Sequence, residues 1–134
     1  MKFKPDATVR IPTTKGKEFF KFWLNILKPF HNLTNREIDV AVSFLWNRYE
    51  LSKVISDTNL LEANSLNEAT KRKVRKECDV TLPHFQVIMG KLKKSKIIVD
   101  GKLNPKFIPN IKEEAGSFQL LFLFDFKDEQ QSDI

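Results

Sequence analysis

Asn67–Ile98 reads NEATKRKVRKECD, then VT, then LPHFQVIMGKLKKSKII. The order is helix, tight turn, helix and the first strand of a hairpin. The first helix has few apolar positions: Leu66, Ala69 or Thr70, Val74 and Cys78. So narrow a strip leaves Lys71, Arg72, Lys73, Arg75 and Lys76 in water or against a ligand. Asp79-Val80 supplies the turn. Thr81 is placed to cap the second helix, and Pro83 falls in its first turn, where a missing N–H costs little. Phe85, Ile88, Met89 and Leu92 recur at helical spacing and define an inward face. His84, Gln86, Lys91 and Lys94 are left outside. Gly90 lies within this helix at a cost of about 1 kcal/mol relative to alanine, which suggests that a neighbouring helix or a phosphate comes close. Lys96–Val99 and Lys102-Leu103 read as strands joined by Asp100-Gly101, a two-residue hairpin signal.

The flanks show how this unit is held. Phe19, Phe20, Trp23, Ile26 and Leu27 predict an aromatic-rich helix over Lys15–Leu27, ended by Pro29. Thr34 and Glu37 have capping-box spacing, and Leu33 and Ile38 fit a hydrophobic staple. From there Ile38, Val42, Leu45, Trp46, Tyr49 and Val54 carry a helix to about Ile55. Ser56–Ser65 reads as a less regular connection, with a helical turn tucking Leu60-Leu61 inward. Phe107, Ile108 and Ile111 are expected to pack the hairpin back on the helices. Phe118, Leu120, Phe122, Phe124 and Phe126 alternate with Gln119, Leu121, Leu123 and Asp125, which predicts a strand. Its expected partner is Ala7–Ile11 (ATVRI), a candidate edge strand, or a neighbouring chain, because an unpaired apolar edge invites association.

These elements imply one domain over 1–134: an N-terminal arm (1–14), a helical core with the two-helix unit and hairpin (15–111), a C-terminal strand (117–126) and a polar tail (127–134). The fold class is mainly α with a small β part (α+β), winged helix-turn-helix-like, with an N-terminal helix added and an extra C-terminal strand.

Hydrophobic residues make up 41% and charged residues 30% of the chain, the balance of a folded rather than a disordered protein. No apolar run approaches the ~20 residues that cross a bilayer. The start, MKFKPDATVRIP, lacks the apolar core of a signal peptide, so export is not expected. Cys78 is the sole cysteine. It rules out an internal disulfide and suits a reducing compartment, or a particle assembled in one.

The net charge is +6 and it is unevenly placed. Residues 71–96 carry nine Lys/Arg against two acids, and residues 1–28 carry seven against two. A basic block of this kind is either a phosphate-binding footprint or a solvated helix face. Known catalytic signatures are missing from the sequence. The four glycines are isolated, His31, His84 and Cys78 lack metal-ligand spacing, and no serine sits in a nucleophile elbow. The expectation is no enzyme activity, no cofactor and no metal.

The candidate surface for nucleic acid or an acidic partner comprises Lys71, Arg72, Arg75, Lys76, Thr81, His84, Gln86, Lys91, Lys93, Lys94, Lys96 and Lys102. In a complex with double-stranded DNA, Thr81, His84, Gln86 and Lys91 would read bases, and Arg72, Arg75, Lys93, Lys94, Lys96 and Lys102 would meet phosphates. The exposed face of the second helix offers few base-reading side chains, and its lysines cluster at the far end. Candidate subunit contacts are Phe19, Trp23, Phe118, Phe122 and Phe124.

LTNREIDVAVSFLWNRYELSK, KRKVRKECDVTLPHFQVIMGKLKKSKIIVDGKLNPKFIP and SFQLLFLFDF together resemble small winged-helix-like proteins of tailed bacteriophages, notably crAss-like phages of gut Bacteroides. The resemblance spans roughly residues 9–126. It implies a virion protein assembled in the host cytoplasm, a ring or adaptor subunit of the head-to-tail connector beneath the portal. Such a protein would form a homo-oligomeric ring and touch neighbouring virion proteins. LTNRE also resembles the helix start of LuxR-type transcription regulators, but the downstream sequence departs from that family. The alternative to the structural role is a winged-helix DNA-binding protein, cytoplasmic and DNA-associated, acting in transcription or replication.

Overall fold

The computed structural model describes residues 4–112 and 114–128. Glu113, residues 1–3 of the N-terminal arm and residues 129–134 of the expected polar tail lie outside them. The described chain is mainly helical with one small antiparallel sheet, an α+β arrangement.

Helix α1 spans Lys17–Ile26. The chain does not simply stop at Pro29. A four-residue helix, α2 (Lys28–His31), follows at once with Pro29 in its first turn, and Asn32 ends it in the left-handed region (φ 54°). The His31 side chain fastens this corner. Leu33 N–H donates to Nδ1 at 3.0 Å, and Nε2 lies 2.7 Å from the Leu24 carbonyl oxygen.

Helix α3 (Asn35–Ser52) begins with the expected capping box. The Thr34 hydroxyl accepts from Glu37 N–H, and the Glu37 carboxylate accepts from Thr34 N–H at 3.0 Å. Leu33 and Ile38, the expected staple pair, are both buried. Beyond the cap the helix is not simply amphipathic. Val40, Ala41, Phe44 and Leu45 are buried together with Ser43 and Asn47, so residues from most of its circumference lie inside. The reason is position: α3 packs against α1 and three later helices. Val54, expected on its inner face, lies beyond the helix end and is exposed.

The connection over 56–65 is a regular helix, α4 (Thr58–Ser65), capped by the Asp57 carboxylate, which accepts from Leu60 N–H at 2.9 Å. Only half of the leucine pair turns inward: Leu61 is buried and Leu60 exposed. Helix α5 (Glu68–Glu77) starts at Asn67, whose side chain accepts from Thr70 N–H at 2.9 Å. It is held by a strip as narrow as expected, with Thr70 and Val74 buried and Ala69 in water.

The turn to α6 (Leu82–Lys94) is closed by two backbone bonds, Asp79 N–H to the Lys76 carbonyl and Val80 N–H to the Arg75 carbonyl. This is a Schellman ending, which needs a left-handed residue. Asp79 supplies it at φ 51°, a conformation that aspartate tolerates better than most residues. Helix α6 buries Phe85, Ile88 and Leu92, with Met89 half-buried.

Strands β1 (Ile98–Val99) and β2 (Lys102–Leu103) pair antiparallel, Ile98 opposite Leu103 and Val99 opposite Lys102. Both turn residues have positive φ, Asp100 at 54° and Gly101 at 73°, the signature of a two-residue primed turn. A 3-10 turn, Pro105–Phe107, then carries the chain back under α1. Phe107 is buried, Ile108 and Ile111 pack partly against the core, and the Trp23 indole Nε1–H donates to the Phe107 carbonyl at 2.8 Å.

Two expectations fail. Residues 117–126 do not form a strand, and Ala7–Ile11 does not pair with them; among the described residues the hairpin is the sole sheet. Alternating sequence sets which side chains share a face, but a strand also needs a partner to take its backbone hydrogen bonds. Neither segment finds one among the described residues.

Candidate nucleic-acid or acidic-partner surface

The basic candidates occupy α5, α6 and the hairpin, and most keep their charge in water. Arg72 and Lys76 are exposed on α5, with Arg75 partly covered. Lys71 is less available than its neighbours, because Glu68 lies 3.7 Å away one turn back. Lys91, Lys93, Lys94 and Lys96 are exposed around the end of α6. Lys93 and Lys96 line an open depression with Asp100 and Gly101 of the hairpin turn. Lys102 is tied down, its Nζ 3.4 Å from Glu62 on α4. The same Glu62 favours the charged form of Arg48, whose guanidinium pKa burial nonetheless lowers. Glu62 therefore links the hairpin to the helical body.

The base-reading candidates fare unevenly. Thr81 uses its hydroxyl to cap α6, accepting from His84 N–H at 3.4 Å. His84 and Gln86 are exposed at the start of the helix. Between them and the terminal lysines the outer face carries Val87 and Gly90, both exposed, and Pro83 is exposed in the first turn. A Cβ added at Gly90 would meet nothing within 4 Å, so no contact inside this chain requires the glycine. The outer face of α6 is thus smooth and apolar in the middle and cationic at one end.

The candidate subunit contacts separate into two groups. Trp23 is only 7% exposed and belongs to the core, which corrects its assignment. Its ring packs edge-on against Phe118 at 5.5 Å, and Phe19, half-buried, meets the same ring at 5.4 Å. These aromatic contacts are intramolecular, and they anchor the start of the C-terminal segment. Phe122 and Phe124 stay exposed.

Two features behind the surface have no sequence motif. The Arg36 guanidinium crosses from α3 and donates to the carbonyls of Cys78 and Asp79 at 2.6 and 3.1 Å. It satisfies acceptors that the α5 ending leaves open. Glu77 accepts from Ser43 Oγ at 2.9 Å and from Asn47 Nδ2 at 2.7 Å, with Lys17 Nζ at 3.4 Å. Burial pushes this carboxyl up. The bonds from Asn47 and Ser43 and the charge of Lys17 outweigh burial and hold it below the usual carboxylate range. Beside it, burial raises the Cys78 thiol against the smaller influence of Ser43 and Arg36, which disfavours a reactive thiolate. The signal available in sequence was Ser43 and Asn47 set one turn apart in an otherwise apolar stretch.

No helix among the described residues is long and apolar enough to cross a membrane, and the described His, Cys, Asp and Glu residues form no metal-holding group. Comparison with family models, curated proteins and solved structures gives no significant match to this chain.

Proposed function

We propose that this protein is a non-enzymatic structural subunit of a tailed-phage virion, a ring or adaptor protein of the head-to-tail connector. Its α3, α5, α6 and hairpin form a winged helix-turn-helix used as a rigid module. The observation that carries this reading is the apolar segment 118–126, which the subunit leaves exposed. A chain that lived alone would carry that surface as a liability. The resemblance to small winged-helix-like phage proteins supplies the particular assembly. The basic surface of α5 and α6 then faces an acidic neighbouring subunit or packaged DNA, and phosphate contact suits its end-clustered lysines.

DNA-binding regulation is the second reading. The exposed His84 and Gln86 at the start of α6, with Lys93 and Lys96 beside the hairpin, favour it. Mass spectrometry of purified particles combined with light scattering separates the two. The structural reading expects the protein in particles and as an oligomer in solution. A monomer that shifts one specific duplex at moderate salt and is missing from particles would sink it. Arg72→Glu with Arg75→Glu is expected to abolish the partner interaction in either case while leaving the melting temperature nearly unchanged, because neither residue lies on the buried strip of α5.

A further inference from the structure

We infer that residues 118–126 are a donated arm, which is held to its own subunit at Phe118 and beyond it packs on the α1–α2 face of a second copy of this chain. This deepens the assembly reading and rests on it only in requiring an oligomer.

Phe118 is held edge-on against Phe19 and Trp23. Exposure then climbs along the arm, from 44% at Phe122 to 83% at Phe124 and 97% at Phe126. The body exposes a second apolar set. Phe22 and Ile26 continue along α1 on the edge that begins at Phe19, and Phe30 on α2 is 66% exposed. The subunit therefore presents both an apolar arm and an apolar face and buries neither.

Length and charge select the occupant. An extended arm of this size reaches about 30 Å, and α1 and α2 end to end span roughly 20 Å. The arm can run the length of that face. Residues 117–124 carry no charge, which gives the arm nothing to offer phosphates or the basic surface of α5. Burying the exposed phenylalanines and leucines would remove on the order of 600 Å² from water, taking about 150–250 Å² for a buried aromatic ring. That approaches the ~800 Å² per partner of a stable interface. An arm on a body is a heterologous contact, so repetition closes a ring or extends a filament.

The test uses the full chain in light scattering at tens of micromolar. One variant breaks the arm (Phe122→Asp with Phe124→Asp) and another breaks the face (Phe22→Asp with Phe30→Asp). The wild-type protein is expected to be an oligomer and each variant a 15.7 kDa monomer with an unshifted melting curve. Their equimolar mixture is expected to give a one-to-one dimer that grows no further, because one intact arm meets one intact face. If the double face variant melts early, Phe30→Asp alone serves in its place. A wild-type monomer overturns the proposal. So does a mixture that stays monomeric, or a face variant that still assembles fully, which would mean arm-to-arm pairing. Assembly by this route in a protein missing from purified particles would refute the connector reading and leave the donated arm standing.

Discussion

The helical body and the C-terminal arm are built from the same kinds of residue and end in opposite environments. Leu92 on α6 is fully buried, while Phe124 on the arm keeps 83% of its exposure. The Phe44 and Phe85 rings meet at a tilt, 6.2 Å apart, inside the body, while Phe126 meets water. Apolar content is therefore not what decides burial. In the body the core side chains have helices packed against them, and the backbone polar groups are satisfied within the helices. The arm has its first side chain anchored and no strand paired with it, and from Leu123 onward its apolar side chains are largely exposed. It is core-like sequence without a local core.

The largest expected effect sharpens that contrast directly. Leu92→Ala is expected to destabilise the fold by about 2–5 kcal/mol, through lost burial and a cavity. Phe124→Ser, at a position of equal hydrophobicity, is expected to stay within about 0.5 kcal/mol for the isolated subunit. Parallel thermal melts at low protein concentration would check the pair, and comparable losses would mean that the arm is part of the core. Thr34→Ala removes one half of the capping box and is expected to cost about 1 kcal/mol by urea titration. That loss belongs to the body and should leave assembly through the arm intact.

Gly90→Ala is expected to stabilise the subunit by about 0.5–1 kcal/mol, since the added methyl meets nothing and the helix gains propensity. If a partner backbone approaches α6 there, the same substitution weakens its binding while the melting temperature rises. The smallest effect concerns Glu77. A carboxyl held below its ordinary pKa in the folded chain stabilises the fold above the unfolded value. That stabilisation is lost as pH falls through the folded value, below the usual carboxylate range. Glu77→Gln should accordingly flatten the acid side of the stability–pH curve. The change is modest, because Lys17 and Glu77 both remain partly exposed. An unchanged acid limb would show that the Ser43–Asn47–Glu77 contacts contribute nothing.

Much of the body could be read from local patterns. Thr34 with Glu37, and Thr81 just ahead of Pro83, mark helix starts, because a cap is a contact between residues a few positions apart. Asp100-Gly101 marks the hairpin and its register, because few residue pairs accept positive φ twice in succession. Helix α4 was harder to see: its eight residues offer one inward leucine and no clear period. The surface was legible in composition and less so in availability. Lys71 and Lys102 carry acidic partners, Thr81 spends its hydroxyl on a cap, and Trp23 proves to be core.

By itself the sequence determined where the helices of the central unit begin, how tightly α5 turns into α6 and where the hairpin folds. Each depends on interactions a few residues long, so no distant contact can easily overrule it. Only the tertiary structure decided that α3 is enclosed from most sides, that Arg36 crosses to cap the end of α5, and that Ser43, Asn47 and Glu77 share a polar junction. Only it decided that residues 118–126 lie outside the core. Those outcomes join residues some 30 to 90 positions apart, or turn on whether a partner exists at all. Periodicity names a face, and packing decides what, if anything, covers it.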